Sequence, residues 1–354
     1  VAGVVDQAGY LRLIRGERHG PLASTARFTL GLAAMGYALG VAARNQAFDR
    51  GWRPIRHAAV PVVSVGNLTL GGTGKTPTVE YVARWYRARG IRVAILSRGY
   101  GQQVGLNDEG RVLEENLPDV PHLQDRDRAG LARVAVEELE SELLVLDDGF
   151  QHRRLARDLD IVLIDALDPF GLGKLFPRGL LREPVGALRR AGLVLLSRAD
   201  LVAGSDRVAI RHEAQRRAGP LRWVEARHAP LDLVDAAGQV RPLDDLGRCK
   251  VAAFCGIGNP EGFRRTLAGR CDSLLGFRVF PDHHPYSAAD MADLADWSGG
   301  LGADLVLTTQ KDLVKLRAAT LGSIPLSALR IGLEITEGAA LFDESLARLL
   351  PPRT

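Results

Sequence analysis

One short segment constrains this chain more than any other: Gly66-Asn-Leu-Thr-Leu-Gly-Gly-Thr-Gly-Lys-Thr-Pro77. It follows an apolar run at 60–65 and opens a helical stretch at 76–89. A glycine-rich turn at such a junction points successive backbone N–H groups at an anion lying on a helix N-terminus, so the segment reads as a phosphate-binding loop. Its candidate members are Thr69, Leu70, Gly71, Gly72, Thr73, Gly74, Lys75 and Thr76. Lys75 reaches terminal phosphates and Thr76 ligates Mg²⁺. The strict pattern G-x-x-x-x-G-K-[ST] fails at its first position, where Thr69 stands for Gly, and the glycines at 71, 72 and 74 compensate. The chain has only five lysines against 41 arginines, so a lysine inside Gly-Lys-Thr is not incidental.

A magnesium nucleotide site also needs a carboxylate at the end of a neighbouring strand. Leu143-Leu-Val-Leu-Asp147-Asp148-Gly-Phe-Gln-His152 supplies two, in the Walker B arrangement of four apolar residues followed by acid. Asp147 is the candidate metal ligand, and Asp148 and His152 are candidates to touch the site.

From residue 60 onward, short apolar runs at 60–65, 93–96, 143–146, 161–164 and 194–196 alternate with helical stretches at 76–89, 129–139 and 207–217. This is the pattern of a parallel sheet covered by helices. The text at 230–248 is rich in Pro, Asp and Gly and reads as a hairpin linker. A second series follows: strands at 251–254, 273–280, 304–308 and 329–331, with helices at 261–268, 288–298 and 312–318. The predicted architecture is therefore α/β: a P-loop NTPase-like parallel-sheet core at 59–229, the linker at 230–248 and a smaller α/β domain at 249–354.

Residues 1–58 stand apart. They hold eight of the arginines (12, 15, 18, 27, 44, 50, 53 and 56) against Asp6, Glu17 and Asp49, a surplus of five in a chain whose net charge is +4. Between Arg27 and Arg44 every residue is uncharged, and Phe48 and Trp52 follow. The apolar stretch is short for a membrane span, which needs about 20 residues. It suits either a helix lying on an anionic membrane surface or an Ala/Gly-rich helix packed on its own domain. The basic charge is not spread over a face and no nucleic-acid motif appears, so nucleic acid is not an expected partner. Three cysteines without C-x-x-C spacing, and no cleavable signal sequence, point to a reducing, cytoplasmic setting.

The loop, the motif Ser97-Arg-Gly-Tyr-Gly101 and the run Asp147-Asp-Gly-Phe-Gln-His-Arg-Arg154 together resemble the tetraacyldisaccharide 4′-kinases, the lipid A 4′-kinases. The resemblance extends through Asp158–Asp165, Pro177-Arg-Gly-Leu-Leu-Arg-Glu-Pro184, Gly256-Ile-Gly-Asn-Pro260, Phe280-Pro-Asp-His-His-Pro-Tyr286 and Thr308-Thr-Gln-Lys-Asp312. It implies transfer of the ATP γ-phosphoryl group, with Mg²⁺, to the 4′-hydroxyl of a tetraacylated glucosamine disaccharide 1-phosphate. It also implies an N-terminal membrane-associated helical segment, 1–58, with peripheral contact at the cytoplasmic face of the inner membrane. The expected assembly is a monomer.

The family's base is an Asp in a Gly-Asp-Glu-Pro-like motif, coupled to a His of the second domain. Here the matching stretch is Gly105-Leu-Asn107-Asp108-Glu109-Gly110, where Asn107 and Gly110 depart from the pattern. The resemblance therefore puts the base at Asp108, a metal-site carboxylate at Glu109 and the partner at His283 rather than His284, since neighbours on an extended segment face opposite ways. Arg178 and Arg182 are candidates for the substrate 1-phosphate, because guanidinium matches phosphate oxygens. Lys311 in Thr-Thr-Gln-Lys-Asp lacks the Asn of a guanine-reading string, and Ser197-Arg-Ala-Asp200 lacks the Lys; both read as loop structure, with ATP as donor. The alternative is a P-loop nucleotide switch or assembly ATPase or GTPase without sugar kinase activity. Such a protein has no need of Asp108 and His283 together.

Overall fold

Apolar runs too short to make helices, flanked by amphipathic stretches, fold here as strands and helices in alternation. The computed structural model describes residues 7–99 and 108–350. Tyr100, Gly101 and Gly105 to Asn107 of the motifs above lie outside the described residues. In chain order the elements are α1 (Gln7–Arg15), α2 (Pro21–Asp49), β1 (Val62–Asn67), α3 (Lys75–Arg87), β2 (Val93–Ser97), α4 (Asp108–Asn116), β3 (His122–Gln124), α5 (Arg128–Glu137), β4 (Leu143–Asp147) and β5 (Leu159–Asp165). They continue as β6 (Leu193–Ser197), α6 (Gly204–Ala218), β7 (Trp223–Val234), β8 (Val240–Arg241), β9 (Lys250–Cys255), α7 (Pro260–Leu267), β10 (Ser273–Val279) and α8 (Ala288–Gly300). The last are β11 (Leu305–Thr309), α9 (Gln310–Leu316), β12 (Thr320–Leu321), β13 (Ile324–Glu337) and α10 (Ala339–Ala347).

The described residues form two compact units. One draws on the chain up to Lys75, on Leu146–Arg227 and on the chain from Ile335; the other is built from Thr76–Val145 and His228–Glu334. In the first unit β1, β5, β6 and the start of β7 run parallel, with Val63 opposite Leu159, Ile161 opposite Leu193 and Val194 opposite Trp223. These strands are buried on both faces, which is why they read as unbroken apolar runs. Val162, Ile164, Val194 and Leu196 pack with Leu188, Ile210 and Trp223 into one core.

In the second unit β10, β9, β11 and β13 form a parallel set, and β2 pairs with β3. Alternate residues of β9 serve two cores. Ala252 and Phe254 join Leu294, Val306 and Leu326, whereas Val251, Ala253 and Cys255 join Leu246, Phe263 and Leu267. The Pro/Asp/Gly-rich text near 235 makes an antiparallel hairpin, β7 to β8, pairing Leu233 with Arg241. Leu233 and Val234 of that hairpin are buried.

Helix α2 is longer than the uncharged stretch predicts, and its two faces differ. Phe28, Leu32, Met35 and Leu39, spaced to form one stripe, are all more than half exposed. The opposite face is fastened to its own unit. Tyr37 OH donates to Arg182 O at 3.0 Å, Asn45 Nδ2 donates to Glu183 Oε2 at 2.8 Å, Arg44 donates to Gln151 O, and Val41 and Phe48 are buried. The packed reading thus describes one face of the helix, while the other leaves its apolar side chains bare. The bare apolar stripe is compatible with peripheral membrane association.

Candidate active site

The glycine-rich loop leaves β1 at Asn67, whose Nδ2 donates to Thr69 O at 2.8 Å. Thr69 is buried and forms a β-bridge with Leu181, and Leu70 N donates to Leu180 O at 2.7 Å. This position is thus extended backbone rather than a turn, so the departure from Gly at Thr69 costs the loop nothing. The turns come later, at Gly71 (φ +112°) and Gly74 (φ +87°), in backbone conformations that L side chains rarely adopt.

Two loop carbonyls are tied to the end of β6 and the residue after it. Ser197 Oγ donates to Thr73 O at 2.8 Å, and Arg198 Nη2 donates to Gly72 O at 2.5 Å. Because a trans peptide sets C=O and N–H on opposite sides, these ties turn the N–H groups of Thr73 and Gly74 the other way. Arg198 is itself held by Asp165 Oδ2 at 2.5 Å. Burial pushes the Asp165 carboxyl above its ordinary range, with Arg198 working against that shift. Reading Ser197–Asp200 as loop structure misses this buttress; the signal is a polar pair at the end of a buried strand.

Lys75 begins α3, with Thr76 in the same first turn and buried. Lys75 Nζ lies 3.5 Å from Asp148 Oδ1, and Arg182 Nη1 donates to both Asp148 oxygens, at 2.9 and 2.8 Å. One carboxylate thus gathers two cations beside the loop. Asp147, the preceding residue, ends β4 and is buried. Arg178, grouped with Arg182 by sequence, instead donates to Ile14 O of α1 at 2.9 Å. His152 completes a turn, its N–H donating to Gly149 O at 2.8 Å, and its carbonyl accepts from Arg157 at 3.2 Å.

In the second unit, Asp108 and Glu109 occupy the first turn of α4, where a helix favours negative charge. His283 Nδ1 lies 3.0 Å from Asp108 Oδ2, although the two are 175 residues apart. His283 has φ +59°, and its N–H donates to Gly256 O at 3.2 Å. His284 turns elsewhere, to Asp290 Oδ2 at 3.2 Å and into the rings of Phe280 and Tyr286. The bond from His283, helped by the nearby Lys315 charge, holds the Asp108 carboxyl below its ordinary range against the effect of burial. The same bond raises the His283 pKa. The pair is thus biased toward carboxylate and imidazolium.

The donors fit magnesium only in part. A hydroxyl at Thr76 and a carboxylate at Asp147 are the hard oxygens that Mg²⁺ prefers. Glu109 is different: its Oε1 meets Lys311 Nζ at 2.6 Å, so a cation already occupies the carboxylate that the sequence reading gives to the metal. Among the described residues no group of three or more His, Cys, Asp or Glu is placed to cage a metal. An ion held by one or two protein oxygens, with phosphates and water completing its shell, needs no such cage.

Comparison with known proteins adds the following. A family model described as tetraacyldisaccharide-1-P 4′-kinase matches residues 26–350. A tetraacyldisaccharide 4′-kinase from Anaeromyxobacter dehalogenans (strain 2CP-C) is 43% identical over 351 residues, covering 94% of this chain and 93% of its own length. One from Geobacter sulfurreducens is 38% identical, covering 90% and 92%. Among solved structures, the "apo" form of LpxK from Aquifex aeolicus in complex with ATP is similar at a TM-score of 0.71 and 29% identity, across 92% of this chain and 100% of that one.

Proposed function

This chain belongs to the tetraacyldisaccharide-1-P 4′-kinase family, and we propose how its residues share the family's reaction. That reaction is transfer of the γ-phosphoryl group of ATP to the 4′-hydroxyl of a tetraacylated glucosamine disaccharide 1-phosphate, a step of lipid A biosynthesis. The loop Thr69–Thr76 takes the phosphates, with backbone N–H groups along the turn and Lys75 on the terminal oxygens. Lys75 is pre-placed by Asp148, which also gathers Arg182, so both cations stand where an incoming anion can draw on them. Thr76 and Asp147 would hold a magnesium ion. When bound, it would spread the charge of the β- and γ-oxygens. Glu109 contributes through its pairing with Lys311.

A sugar hydroxyl is a poor nucleophile at neutral pH, and its proton must leave as the new O–P bond forms. Asp108 receives that proton. His283 fixes the carboxylate and keeps it ionised before transfer. The observation that carries this reading is the 3.0 Å bond between residues 175 apart, because a nucleotide switch has no use for a base built from such distant segments. The test is phosphate transfer from γ-labelled ATP, with Mg²⁺, to the tetraacyldisaccharide 1-phosphate in detergent micelles. Label should enter the lipid, and Asp108→Ala should lower the rate about 10²–10⁴-fold, the usual loss on removing a general base. Free phosphate released at one rate with or without lipid would favour the switch instead.

Arg178 and Arg182 contact the substrate 1-phosphate by exchanging their present partners, Ile14 O and Asp148, for phosphate oxygens. An unchanged lipid KM in both Arg→Ala variants would remove that role. The exposed stripe of α2, with Trp52 and the surrounding arginines, rests on the cytoplasmic face of the inner membrane and meets the lipid there. Leu32→Glu with Met35→Glu should abolish binding to anionic vesicles while leaving Tm unchanged, since both side chains are exposed.

A further inference from the structure

The string Thr308-Thr-Gln-Lys-Asp312, where β11 passes into α9, enters the chemistry above only through the Lys311–Glu109 pair, yet its side chains grip two other segments of the same unit. The first is α4. Gln310 and Asn116, both buried, exchange amide hydrogen bonds at 2.9 and 3.2 Å, and Asn116 Nδ2 also donates to Glu80 Oε2 of α3 at 2.8 Å. Lys311 Nζ meets Glu109 Oε1 at 2.6 Å. Lys315 Nζ stands 3.8 Å from Asp108 Oδ2. These ties run along α4 from its last residue to its first.

The second segment is the turn after β9. Asp312 has no solvent exposure; its Oδ2 accepts the Gly256 N–H at 3.0 Å and the Thr309 hydroxyl at 2.7 Å. Gly256 O in turn accepts the His283 N–H. A side chain at Gly256 would meet Tyr286 OH, Asp312 Oδ1 and Pro281 O at 3.0–3.1 Å, so the close approach depends on glycine. The other oxygen of Asp312 pairs with Lys315 Nζ at 2.9 Å.

Taking Asp108 as the base, we propose that α9 is the positioning element of the Asp108–His283 pair, with Lys315 and Asp312 as its positioning residues. Lys315 places a nearly buried cation, stacked 5.2 Å from the Tyr286 ring, on the same Asp108 oxygen that takes the His283 bond. Oδ2 is thereby held from two sides, the carboxylate cannot turn freely, and Oδ1 is the oxygen presented to the hydroxyl proton. Asp312 joins the two partners: one of its oxygens holds Lys315 and the other holds the backbone that seats His283 in its left-handed conformation. Such precision matters because a displacement of about 1 Å at a reacting group can lower a rate about 10²-fold.

The test uses the full chain. Lys315→Met and Asp312→Asn should each lower kcat by about 10²-fold while the KM for ATP stays within about twofold, since neither touches the phosphate loop. Lys315→Arg should recover most of the loss by restoring the charge. Nitrogen NMR of histidine-labelled protein gives a second readout. The His283 ring signals, assigned by their disappearance in His283→Gln, should move in Asp312→Asn and Lys315→Met and return toward their original positions in Lys315→Arg. A Lys315→Met enzyme with kcat within about threefold of wild type and unmoved His283 signals would overturn the proposal. If Lys315→Met does not fold, Lys315→Gln replaces it, and equal losses in the Gln and Arg variants would overturn it by showing that packing, not charge, matters. Asp108→Ala keeps the two ideas apart. An active Asp108→Ala enzyme removes the base reading, whereas an inactive one beside an active Lys315→Met enzyme removes only the positioning role.

Discussion

The glycine-rich loop and the Asp108–His283 pair are built in contrasting ways. The loop is local: eight consecutive residues, Thr69–Thr76, carry its backbone donors and its lysine, and the fold adds clamps behind it through Ser197 and Arg198. The pair is distant: its two members come from segments 175 residues apart, and other elements must hold each of them in place. A local device tolerates changes elsewhere in the chain, because its geometry is written into neighbouring peptide units. A distant device is only as exact as the packing of α4, α9 and the turn at Gly256.

That contrast can be broken most forcefully by comparing Asp108→Ala with Lys75→Ala. The first should lower kcat about 10²–10⁴-fold at nearly constant KM for ATP. The second should lower kcat/KM for ATP about 10²–10³-fold, because it removes a preorganised cation from the phosphates. Steady-state kinetics with ATP varied at saturating lipid distinguishes the two patterns, and the same pattern in both variants would mean that the sites are not functionally separate.

A smaller effect is expected at the clamp. Arg198→Met leaves Asp165 without its cation and Gly72 O without its donor, and should cost about 3 kcal/mol of stability, as breaking a largely buried ion pair does. Chemical denaturation measures this, and the KM for ATP should rise while the His283 NMR signals stay in place. The smallest effect is on pH dependence. The His283 pKa is raised by its bond to Asp108, so that bond contributes fully to stability below the ordinary histidine value of about 6.5 and is lost as pH rises through the raised one. The Tm advantage of wild type over His283→Gln should therefore shrink as pH rises above about 6.5, and only modestly, since the His283 side chain is 60% exposed. An advantage that grew with pH would contradict the pairing.

How far each region can be read from sequence follows the same division. The loop, the strand before it and the acid pair at Asp147-Asp148 announce themselves, because each needs particular residue types within a few positions. Helix α4 is not visible that way: Asp108–Asn116 has only Val112 and Leu113 as large apolar residues, and they suffice because α9 packs along it. Strand β13 reaches well beyond the expected 329–331, since Ser327, Arg330 and Glu334 interrupt its apolar pattern while the ladder continues. Asp108 and His283 enter through family resemblance, as no local rule joins them. Lys311 and Lys315 were within reach of the argument that singles out Lys75: in a chain with five lysines, two in one short helix mark a place where an ammonium group rather than a guanidinium is wanted.

The interleaving of the two units also governs the order in which the molecule can be made. The chain leaves the first unit between Lys75 and Thr76 and returns to it for good only at Ile335. Phe342 and Leu346 of α10 then become fully buried, and Gly338 closes against Trp223 and Val224. At about 5–20 residues per second, a ribosome needs roughly 13–50 s to get from the lysine of the glycine-rich loop to the residues that complete that loop's own unit. Helix α2 has emerged long before, with its apolar stripe uncovered. The nascent chain thus displays an apolar stripe, compatible with peripheral membrane association, well before it can offer a kinase.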